Sequence, residues 1–238
     1  MDTEDAGQQA RAEHGRLNRN GRVPIPAVRR LSLYLRELEA LHQKDRQTIA
    51  SRELGNLLGL TDAQVRKDLA YFGQFGHPGI GYRVTELIAH IRSILGTDRT
   101  WRTLLVGAGH LGTALLSYRG FASKGFQIVA AFDNDPAKIG RVVGTPPGLE
   151  ILPLEKLEAT ITEKNVQMAI LCVPAGAAQQ VTDRLVAAGI KGILNFAPQT
   201  LNVPEDVSLA SVDLALRLEQ LAFHICANLL AAERHGQQ

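Results

Sequence analysis

The sequence predicts an α/β protein in which a small helical domain precedes a larger domain built on a doubly wound parallel sheet. Three observations support this fold class. Apolar residues recur at helical spacing between residues 24 and 72, and from residue 103 onward short apolar runs alternate with helical stretches. A glycine-rich segment, 107–112, lies between one apolar run and the helix after it. The 238 residues are enough for two hydrophobic cores.

The first predicted element follows a tail, residues 1–22, that contains almost no large apolar residues and is expected to be mobile. Order is expected from residue 23, and a first helix from Pro24 to about Gln43. Pro26 is tolerated there, because the first helical turn does not need its N–H. The apolar stripe of this helix is predicted to be Val28, Leu31, Leu35 and Leu38.

A helix-turn-helix follows in the sequence. The second helix is predicted to begin at Ser51, whose hydroxyl can cap it, and to end at Gly59. Thr61 to Gln64 has the capping-box pattern that starts a third helix. Two short helices joined by a tight turn are typical of the helix-turn-helix motif. The buried face of the third helix is predicted to be Val65, Leu69 and Phe72.

The segment after the third helix suggests a winged variant of this motif. A glycine-dense loop, 73–81, precedes a short predicted strand, 82–84, and a further helix, 86–95. A polar linker, 96–100, then leads to Trp101, after which short apolar runs begin to alternate with helical stretches. We therefore expect a winged helix domain over 23–96 and a second domain over 101–212, followed by a terminal helix over 213–232.

The third helix is a candidate DNA-reading element. Residues 16–92 carry thirteen Lys and Arg against seven Asp and Glu, a balance of +6 that suits a polyanion. Gln64 can read adenine, and Arg66 or Lys67 can read guanine or hold phosphates, with Tyr71 on the flank. An ordinary solvated helix face remains the alternative. The loop with His77 and Pro78 is either a minor-groove wing or a simple hairpin.

The second domain shows the pattern of a Rossmann fold. Strands are predicted over 103–106, 128–133, 166–173 and 193–196, with helices after Gly112 and from Ala177. In the segment Gly107-Ala108-Gly109-His110-Leu111-Gly112, the first glycine permits a tight turn and the second lets backbone approach a pyrophosphate. The third lets helix and strand pack closely. A glycine turn that only packs the sheet is the alternative.

Asp133 ends the next predicted strand, twenty-one residues beyond Gly112. A carboxylate there would accept hydrogen bonds from the ribose hydroxyls of adenosine and repel a 2′-phosphate. The pattern therefore favours NAD(H) over NADP(H), although residues 133–136 could instead form a plain polar loop.

Several classes of function find no support in the sequence. No Ser, Cys, His or carboxylate arrangement suggests a catalytic nucleophile with its base, and no Cys/His cluster suggests a metal. Cys172 and Cys226 lie in apolar segments far apart in the sequence and are expected to be buried reduced thiols, with a disulfide as the less favoured alternative. There is no apolar run of membrane-spanning length and no signal-peptide pattern, so a cytoplasmic location is expected.

Taken together, these motifs resemble the Rex family of redox-sensing transcriptional repressors. The resemblance rests on Gln64-Val65-Arg66-Lys67-Asp68-Leu69, the loop ending Gly79-Ile80-Gly81-Tyr82, the glycine segment 107–112 and Asn195-Phe196-Ala197-Pro198. It implies a homodimer that binds operator DNA when free or loaded with NAD+ and releases it when NADH binds. NAD(H) is then a sensed ligand that is not consumed, and the protein is not an enzyme.

The resemblance also implies roles for particular residues. Ser51, Gln64, Arg66, Lys67, Tyr71 and His77 would contact DNA. The glycine segment with Asp133 would hold adenosine and pyrophosphate, and Val173, Pro174, Asn195 and Pro198 would lie near the nicotinamide. The last helix would swap between subunits, which explains its apolar stripe of Leu214, Leu218, Leu221, Ile225 and Leu229. Asp213 would alternate between Arg36 and Tyr118.

Two other functions remain open from the sequence alone. A dehydrogenase with an accessory DNA-binding domain would use the same glycine motif, but only about 100 residues follow Asp133, which leaves little room for a substrate domain. A regulator that binds another ligand, such as coenzyme A, could place phosphates on the same glycine loop, and Asp133 argues mildly against it.

Overall fold

The computed structural model describes residues 24–77 and 79–235. The expectations for the tail, residues 1–22, for the start of order at residue 23 and for Pro78 lie outside the described residues. The chain separates into two compact units that meet in sequence between Arg99 and Thr100.

From residue 24 to Arg99, the described part of the first unit contains four helices and a small two-stranded sheet. In chain order the elements are α1 (Ile25–His42), β1 (Thr48–Ile49), α2 (Ser51–Leu58), α3 (Asp62–Ala70), β2 (Tyr82–Arg83) and α4 (Val84–Leu95). Strands β1 and β2 pair in antiparallel fashion. One core joins all four helices, and its fully buried members include Leu31, Tyr34, Leu38, Leu54, Val65, Leu87 and Ile91.

The ends of the helix-turn-helix show where local prediction succeeds. Gly59 ends α2 in the left-handed conformation, with φ of 67°, as predicted. Thr61 caps α3, since its Oγ1 accepts the backbone N–H of Gln64 at 3.1 Å. Helix α2 begins at Ser51, as predicted, but the capping role predicted for Ser51 was wrong, because Ala50 is the N-cap and Ser51 is already helical. Val28 was also wrongly placed in the buried stripe, because it is 38% exposed.

The second unit is a seven-stranded sheet with helices on both faces. Its elements are β3 (Trp101–Val106), α5 (His110–Leu116), β4 (Phe126–Asp133), β5 (Val142–Val143), β6 (Leu149–Pro153), α6 (Leu157–Glu163), β7 (Met168–Leu171), α7 (Ala175–Ala187), β8 (Gly192–Asn195), β9 (Ser208–Ser211) and α8 (Leu214–His235). The strand order is β5-β6-β4-β3-β7-β8-β9, and all neighbours are parallel except β5 and β6.

This order reverses direction at β3, from which the chain builds the sheet outward to β4 and β6 and then returns to add β7, β8 and β9. Ligands of open α/β sheets bind in the crevice outside the carboxyl ends of the strands at such a reversal. Alternate residues of the central strands serve the two faces: Leu104 and Val106 pack toward α6 and α7, whereas Leu105 packs toward α5.

Several boundaries in this unit differ from prediction. Strand β7 is shorter than the predicted 166–173, β4 begins at Phe126, and α7 begins at Ala175 rather than Ala177. The helix expected after Gly112 starts at His110, inside the glycine segment. Strands β5, β6 and β9 and helix α6 were not predicted. Within the described residues, no helix is long and apolar enough to cross a membrane.

Candidate functional site

A cavity of about 410 Å³ opens at the carboxyl ends of β3, β4 and β7, where the sheet order reverses. The predicted cofactor residues Gly107, Gly109, Asp133, Val173 and Pro174 all line it. The other lining residues are Val106, Asn134, Lys138, Leu154, Cys172, Ala177 and Val181. Its wall is therefore mainly apolar, with charged groups at the end of β4.

The three glycines of the motif are required for different reasons. Gly107 has φ of +98°, and a Cβ there would lie 2.5 Å from the carbonyl oxygen of Cys172. A Cβ on Gly112 would lie 2.0 Å from the carbonyl oxygen of Gly107, so only glycine lets α5 approach β3 this closely. A Cβ on Gly109 would meet nothing within 4 Å. The fold needs Gly107 and Gly112, whereas Gly109 leaves space for something outside the chain.

Asp133 is 5% exposed at the end of β4, and hydrogen bonds hold its carboxylate. Its Oδ2 accepts the N–H of Ala108 at 2.8 Å, and its Oδ1 accepts the N–H of Asp135 at 2.9 Å. Burial by itself would raise the pKa of Asp133, but these bonds and the Lys138 ammonium bring the pKa below its usual value. The group is therefore an anion, fixed beside the glycine loop.

Lys138 is a cavity residue that the sequence reasoning missed. Its Nζ donates to Asp133 Oδ2 at 3.1 Å and lies 3.7 Å from Asp135 Oδ2. The side chain is 33% exposed, so the ammonium remains accessible from the cavity. Its place five residues after Asp133 was the available signal, but a lysine in a polar loop is too common to be informative.

The remaining predicted cofactor residues lie outside the cavity lining. His110 and Leu111 are exposed at the start of α5, and Ala108 contributes its backbone N–H to Asp133. Asn195 was predicted beside the nicotinamide, but it is fully buried and its amide is used within the chain. Its Nδ2 donates to the carbonyls of Ala197 and Gln199, and its Oδ1 accepts the N–H of Ala197.

Asn195 therefore shapes the loop after β8, and its place near the nicotinamide stays a prediction. Pro198 lies in that loop, exposed and outside the cavity lining.

The two cysteines differ from each other. Cys172 is half-buried in the cavity wall, and burial raises the pKa of its thiol to about 11, so it is protonated at neutral pH. Cys226 is exposed on α8, which contradicts its predicted burial. No group of His, Cys, Asp or Glu side chains that could hold a metal occurs in the part of the chain that the structure describes.

On the predicted recognition helix α3, Arg66 and Lys67 are exposed and Gln64 is half-buried. Tyr71, also half-buried, follows the helix as its C-cap. Arg66 Nη1 donates to Ser51 Oγ at 3.1 Å and to Asp62 Oδ2 at 2.7 Å. Ser51, at the start of α2, is thus joined to the recognition helix by its hydroxyl. These side chains form one polar surface across the two helices of the motif.

Beneath this surface lies a buried charge that sequence reasoning missed. Asp68 is 0% exposed, and its carboxylate accepts hydrogen bonds from Arg30, Tyr34 and Gln64. Arg30 and Tyr34 belong to α1, so the cluster joins α1 to α3. Burial opposes ionisation of Asp68, but the three donors together lower its pKa below the usual value.

The loop after α3 forms a small hairpin at its tip. The N–H of His77 donates to the carbonyl of Gly81 at 2.7 Å, and the two residues form an isolated antiparallel bridge. The His77 ring lies 3.3 Å from Glu86 Oε2. That contact is the main reason why the pKa of Glu86 is lowered, and Arg83 contributes as well. His77 is thus exposed but has an acidic neighbour.

The three predicted switch residues are all at the surface. Arg36 lies on α1 with its Nε 3.4 Å from Glu37 Oε1. Tyr118 is 60% exposed and packs edge to face against Phe121. Asp213 precedes α8 and its Oδ1 accepts the N–H of Leu216 at 3.0 Å, which caps that helix.

Comparisons with known proteins match both units. A family described as "Putative DNA-binding protein N-terminus" matches residues 22–70, and one described as "CoA binding domain" matches residues 98–199. A redox-sensing transcriptional repressor Rex of Carboxydothermus hydrogenoformans is 52% identical over 204 residues, covering 86% of this chain and 97% of its own length. The Rex of Streptomyces coelicolor is 44% identical over 89% of this chain and 81% of its own length.

Solved structures of a Rex-family repressor also match this chain over most of its length. RSP, described as a Rex-family repressor, in complex with β-NAD+ and operator DNA superimposes with a TM-score of 0.84 at 39% identity. That match covers 91% of this chain and 99% of the other. Its complex with β-NADH gives a TM-score of 0.80 at 38% identity, over 89% and 98% of the two chains.

Proposed function

This chain belongs to the Rex family of redox-sensing transcriptional repressors, and from that premise we propose that it couples transcription to the NADH/NAD+ ratio. It binds operator DNA when free or loaded with NAD+, and it releases the DNA when NADH binds. The observation that carries the proposal is the conjunction, in one chain, of a helix-turn-helix with a cavity whose glycine loop and fixed Asp133 suit a dinucleotide.

The DNA-binding domain is residues 23–96. The side chain of Lys67 makes no hydrogen bond within the described residues and is exposed, so its ammonium is available to a base or a phosphate. Arg66 exchanges its contact with Asp62 for DNA, while Ser51 keeps its guanidinium near the groove. Tyr71 and His77 contribute at the flanks, to the sugar-phosphate backbone.

The nucleotide-binding domain is residues 101–212. The open face of Gly109 admits the pyrophosphate to the N–H groups at the start of α5, and His110 and Leu111 lie at that entrance. Asp133 accepts from the ribose hydroxyls of adenosine. The nicotinamide lies past Val173 and Pro174, along the apolar part of the wall.

Discrimination between the two redox forms follows from their charge. The nicotinamide of NAD+ is cationic and that of NADH is neutral, so a dry apolar pocket penalises NAD+ through desolvation. A sensor needs this inequality, because a ligand with equal affinity for both conformations shifts no equilibrium. The partner subunit completes the pocket around the ring.

The terminal helix is the dimer element. Leu214, Leu218, Leu221 and Ile225 are each more than half exposed on α8, at 60%, 67%, 54% and 52%. Four apolar side chains at this spacing form a stripe that a second copy of the chain covers by exchanging the helix. Leu229 continues the pattern, and its side chain lies outside the described residues. Asp213 then exchanges contacts between Arg36 and Tyr118 as the dimer switches.

The protein regulates and does not catalyse. Cys172 has a thiol that stays protonated at neutral pH, so the cavity wall offers no thiolate nucleophile. The ligand is read by binding alone, and the repressor acts in the cytoplasm, where it meets DNA.

Coenzyme A is the second candidate ligand, because the matching family over residues 98–199 is described as a CoA binding domain. The two ligands differ at the adenosine ribose: coenzyme A carries a 3′-phosphate there, which an anionic Asp133 repels. Asp133→Ala is therefore expected to weaken NADH binding and to leave coenzyme A binding unchanged or tighter. An unchanged NADH affinity would favour coenzyme A.

The decisive experiment is a mobility-shift titration of a selected operator duplex against the full chain over varied NADH/NAD+ ratios. NADH is expected to release the DNA at concentrations where NAD+ does not. Arg66→Ala and Lys67→Ala are expected to abolish operator binding and to retain NADH affinity. Indifference of the complex to both nucleotides, or equal affinities for them, would overturn the proposal.

A further inference from the structure

Asp68 carries a buried negative charge inside the proposed DNA-binding domain, and both of its carboxylate oxygens accept hydrogen bonds from identified donors. Its Oδ1 accepts from Arg30 Nη2 at 2.8 Å and from Gln64 Nε2 at 2.7 Å, and its Oδ2 accepts from Arg30 Nε and from Tyr34 Oη at 2.8 Å. A buried carboxylate needs such partners to offset the cost of leaving water. One of the four bonds, however, comes from a residue on the proposed DNA-reading surface.

The bond from Gln64 fixes which way its amide faces. An ionised carboxylate can only accept, so Gln64 must turn its NH2 group, and never its carbonyl, toward Asp68. A glutamine without such a partner can rotate its amide by half a turn at little cost, because oxygen and nitrogen are nearly equal in size. Burial and the bonds to α1 hold Asp68 itself in place.

This orientation leaves a defined pattern for DNA. One N–H of Gln64 is used by Asp68, and the other N–H and the carbonyl oxygen remain. Bidentate reading of adenine needs one donor for N7 and one acceptor for the N6 amino group. The half-buried Gln64 offers both, on the same helix as the exposed Lys67 one turn further along.

We propose that Asp68 is a positioning residue for operator specificity, which fixes the donor and acceptor orientation of Gln64 from beneath the recognition helix. The proposal rests on the proposed function, because it requires that α3 reads DNA. It assigns Asp68 a role distinct from simple stabilisation: without it Gln64 presents either orientation, and its preference for one base pair is lost.

The test begins with operator duplexes selected by the full wild-type chain from a random pool. Each base pair of the selected site is then replaced in turn, and binding is measured by fluorescence anisotropy. Gln64→Ala identifies the base pair that depends on Gln64. Failure of the wild-type chain to select any sequence would reject the repressor function itself, which separates that failure from failure of this proposal.

Asp68→Asn is the central variant, because it keeps the shape of the side chain but replaces one acceptor oxygen by an NH2 group. The side chain at position 68 then no longer requires Gln64 to be the hydrogen-bond donor. We expect the preference at the pair identified by Gln64→Ala to fall about tenfold, the scale of one bidentate contact, with other positions unchanged. Combined with Gln64→Ala, it should have no further effect on base preference. An even loss of affinity at all positions, with the preference retained, would mean a structural role only and overturn the proposal.

Tyr34→Phe is the matched control. It removes another donor to the same carboxylate but leaves Asp68 ionised and Gln64 bound to it. Its base preference should equal that of the wild type even if its thermal stability is lower. A loss of preference as large as that of Asp68→Asn would contradict the proposal.

A measurement on the wild-type chain keeps the proposal testable if Asp68→Asn fails to fold. One side-chain amide proton of Gln64, assigned in nuclear magnetic resonance spectra with Gln64→Ala, should exchange with water much more slowly than the corresponding protons of the exposed Gln43, because it is bonded to the buried Asp68. Exchange as fast as that of Gln43 would show that this bond does not hold the amide and would overturn the inference.

Discussion

Replacing Gly109 with alanine should weaken NADH binding and leave the stability of the fold unchanged. The backbone of Gly109 has φ of −75° and ψ of −165°, a conformation that any residue adopts. The added Cβ meets no atom of the chain within 4 Å. Its methyl group instead occupies the space through which a pyrophosphate would reach the N–H groups of α5.

The size of the effect follows from what the methyl group displaces. A hydrogen bond to a charged group is worth about 1.5–3 kcal/mol, so loss of one such bond to the pyrophosphate predicts NADH binding weaker by roughly 10–150-fold. Isothermal titration calorimetry of the full chain measures this change directly.

Gly112→Ala is the matched control, because it adds the same methyl group three residues later. Its Cβ would lie 2.0 Å from the carbonyl oxygen of Gly107 and 3.1 Å from Leu105 Cδ2, so α5 must move away from β3. Overpacking of this kind costs about 1–3 kcal/mol or more, which lowers the melting temperature of a unit of this size by roughly 2–12 °C. The unliganded Gly109→Ala protein should melt like the wild type.

Two results would refute this reasoning. If Gly109→Ala binds NADH as tightly as the wild type, the pyrophosphate does not approach the glycine loop. If Gly109→Ala melts as low as Gly112→Ala, the open space beside Gly109 is not real.

Three further predictions concern charge and assembly. Lys138→Met should weaken NADPH binding more than NADH binding, because the ammonium beside Asp133 is the group that would neutralise a 2′-phosphate; equal losses in paired titrations would exclude that role. Leu218→Arg should convert the proposed dimer to a monomer, as measured by light scattering, because it places a charge in the apolar stripe of α8. Gln220→Arg on the same helix should leave the dimer intact. A Leu218→Arg protein that remains dimeric would show that the stripe is not the interface. Because the pKa of Asp133 is lower in the folded than in the unfolded chain, its stabilisation is complete at neutral pH and is lost as the pH falls through the folded pKa. Urea unfolding should therefore show a smaller loss in acid for Asp133→Asn than for the wild type, and parallel losses would contradict the assignment.

The sequence predicted those elements whose signals are local. Gly59 adopts a positive φ, and Thr61 accepts an N–H only three residues away. The end of α2 and the start of α3 could therefore be predicted from a few neighbouring residues. The spacing from Gly112 to Asp133 is set by one helix and one strand, and the structure places Asp133 at the cavity.

Predictions failed where the deciding partner is distant in the chain. Asn195 was predicted only to lie near the nicotinamide, and the sequence did not reveal that its amide organises the loop that follows, with a further bond to Ser211 sixteen residues away. Strands β5, β6 and β9 are short, and the neighbours that pair with them supply most of their stability. Their sequences therefore carried too little periodicity to be recognised.

The sequence by itself determined the two-unit organisation, the helix-turn-helix, the glycine loop and the carboxylate that follows it. These features depend on backbone conformation and on the period of the apolar residues, and both are set by residues close together in the chain. Only the tertiary structure decided how charge is distributed around the two sites. Asp68 meets Arg30 across 38 residues, and Lys138 meets Asp133 by the folding of a loop. Burial makes such contacts strong, and burial exists only once distant segments have packed together.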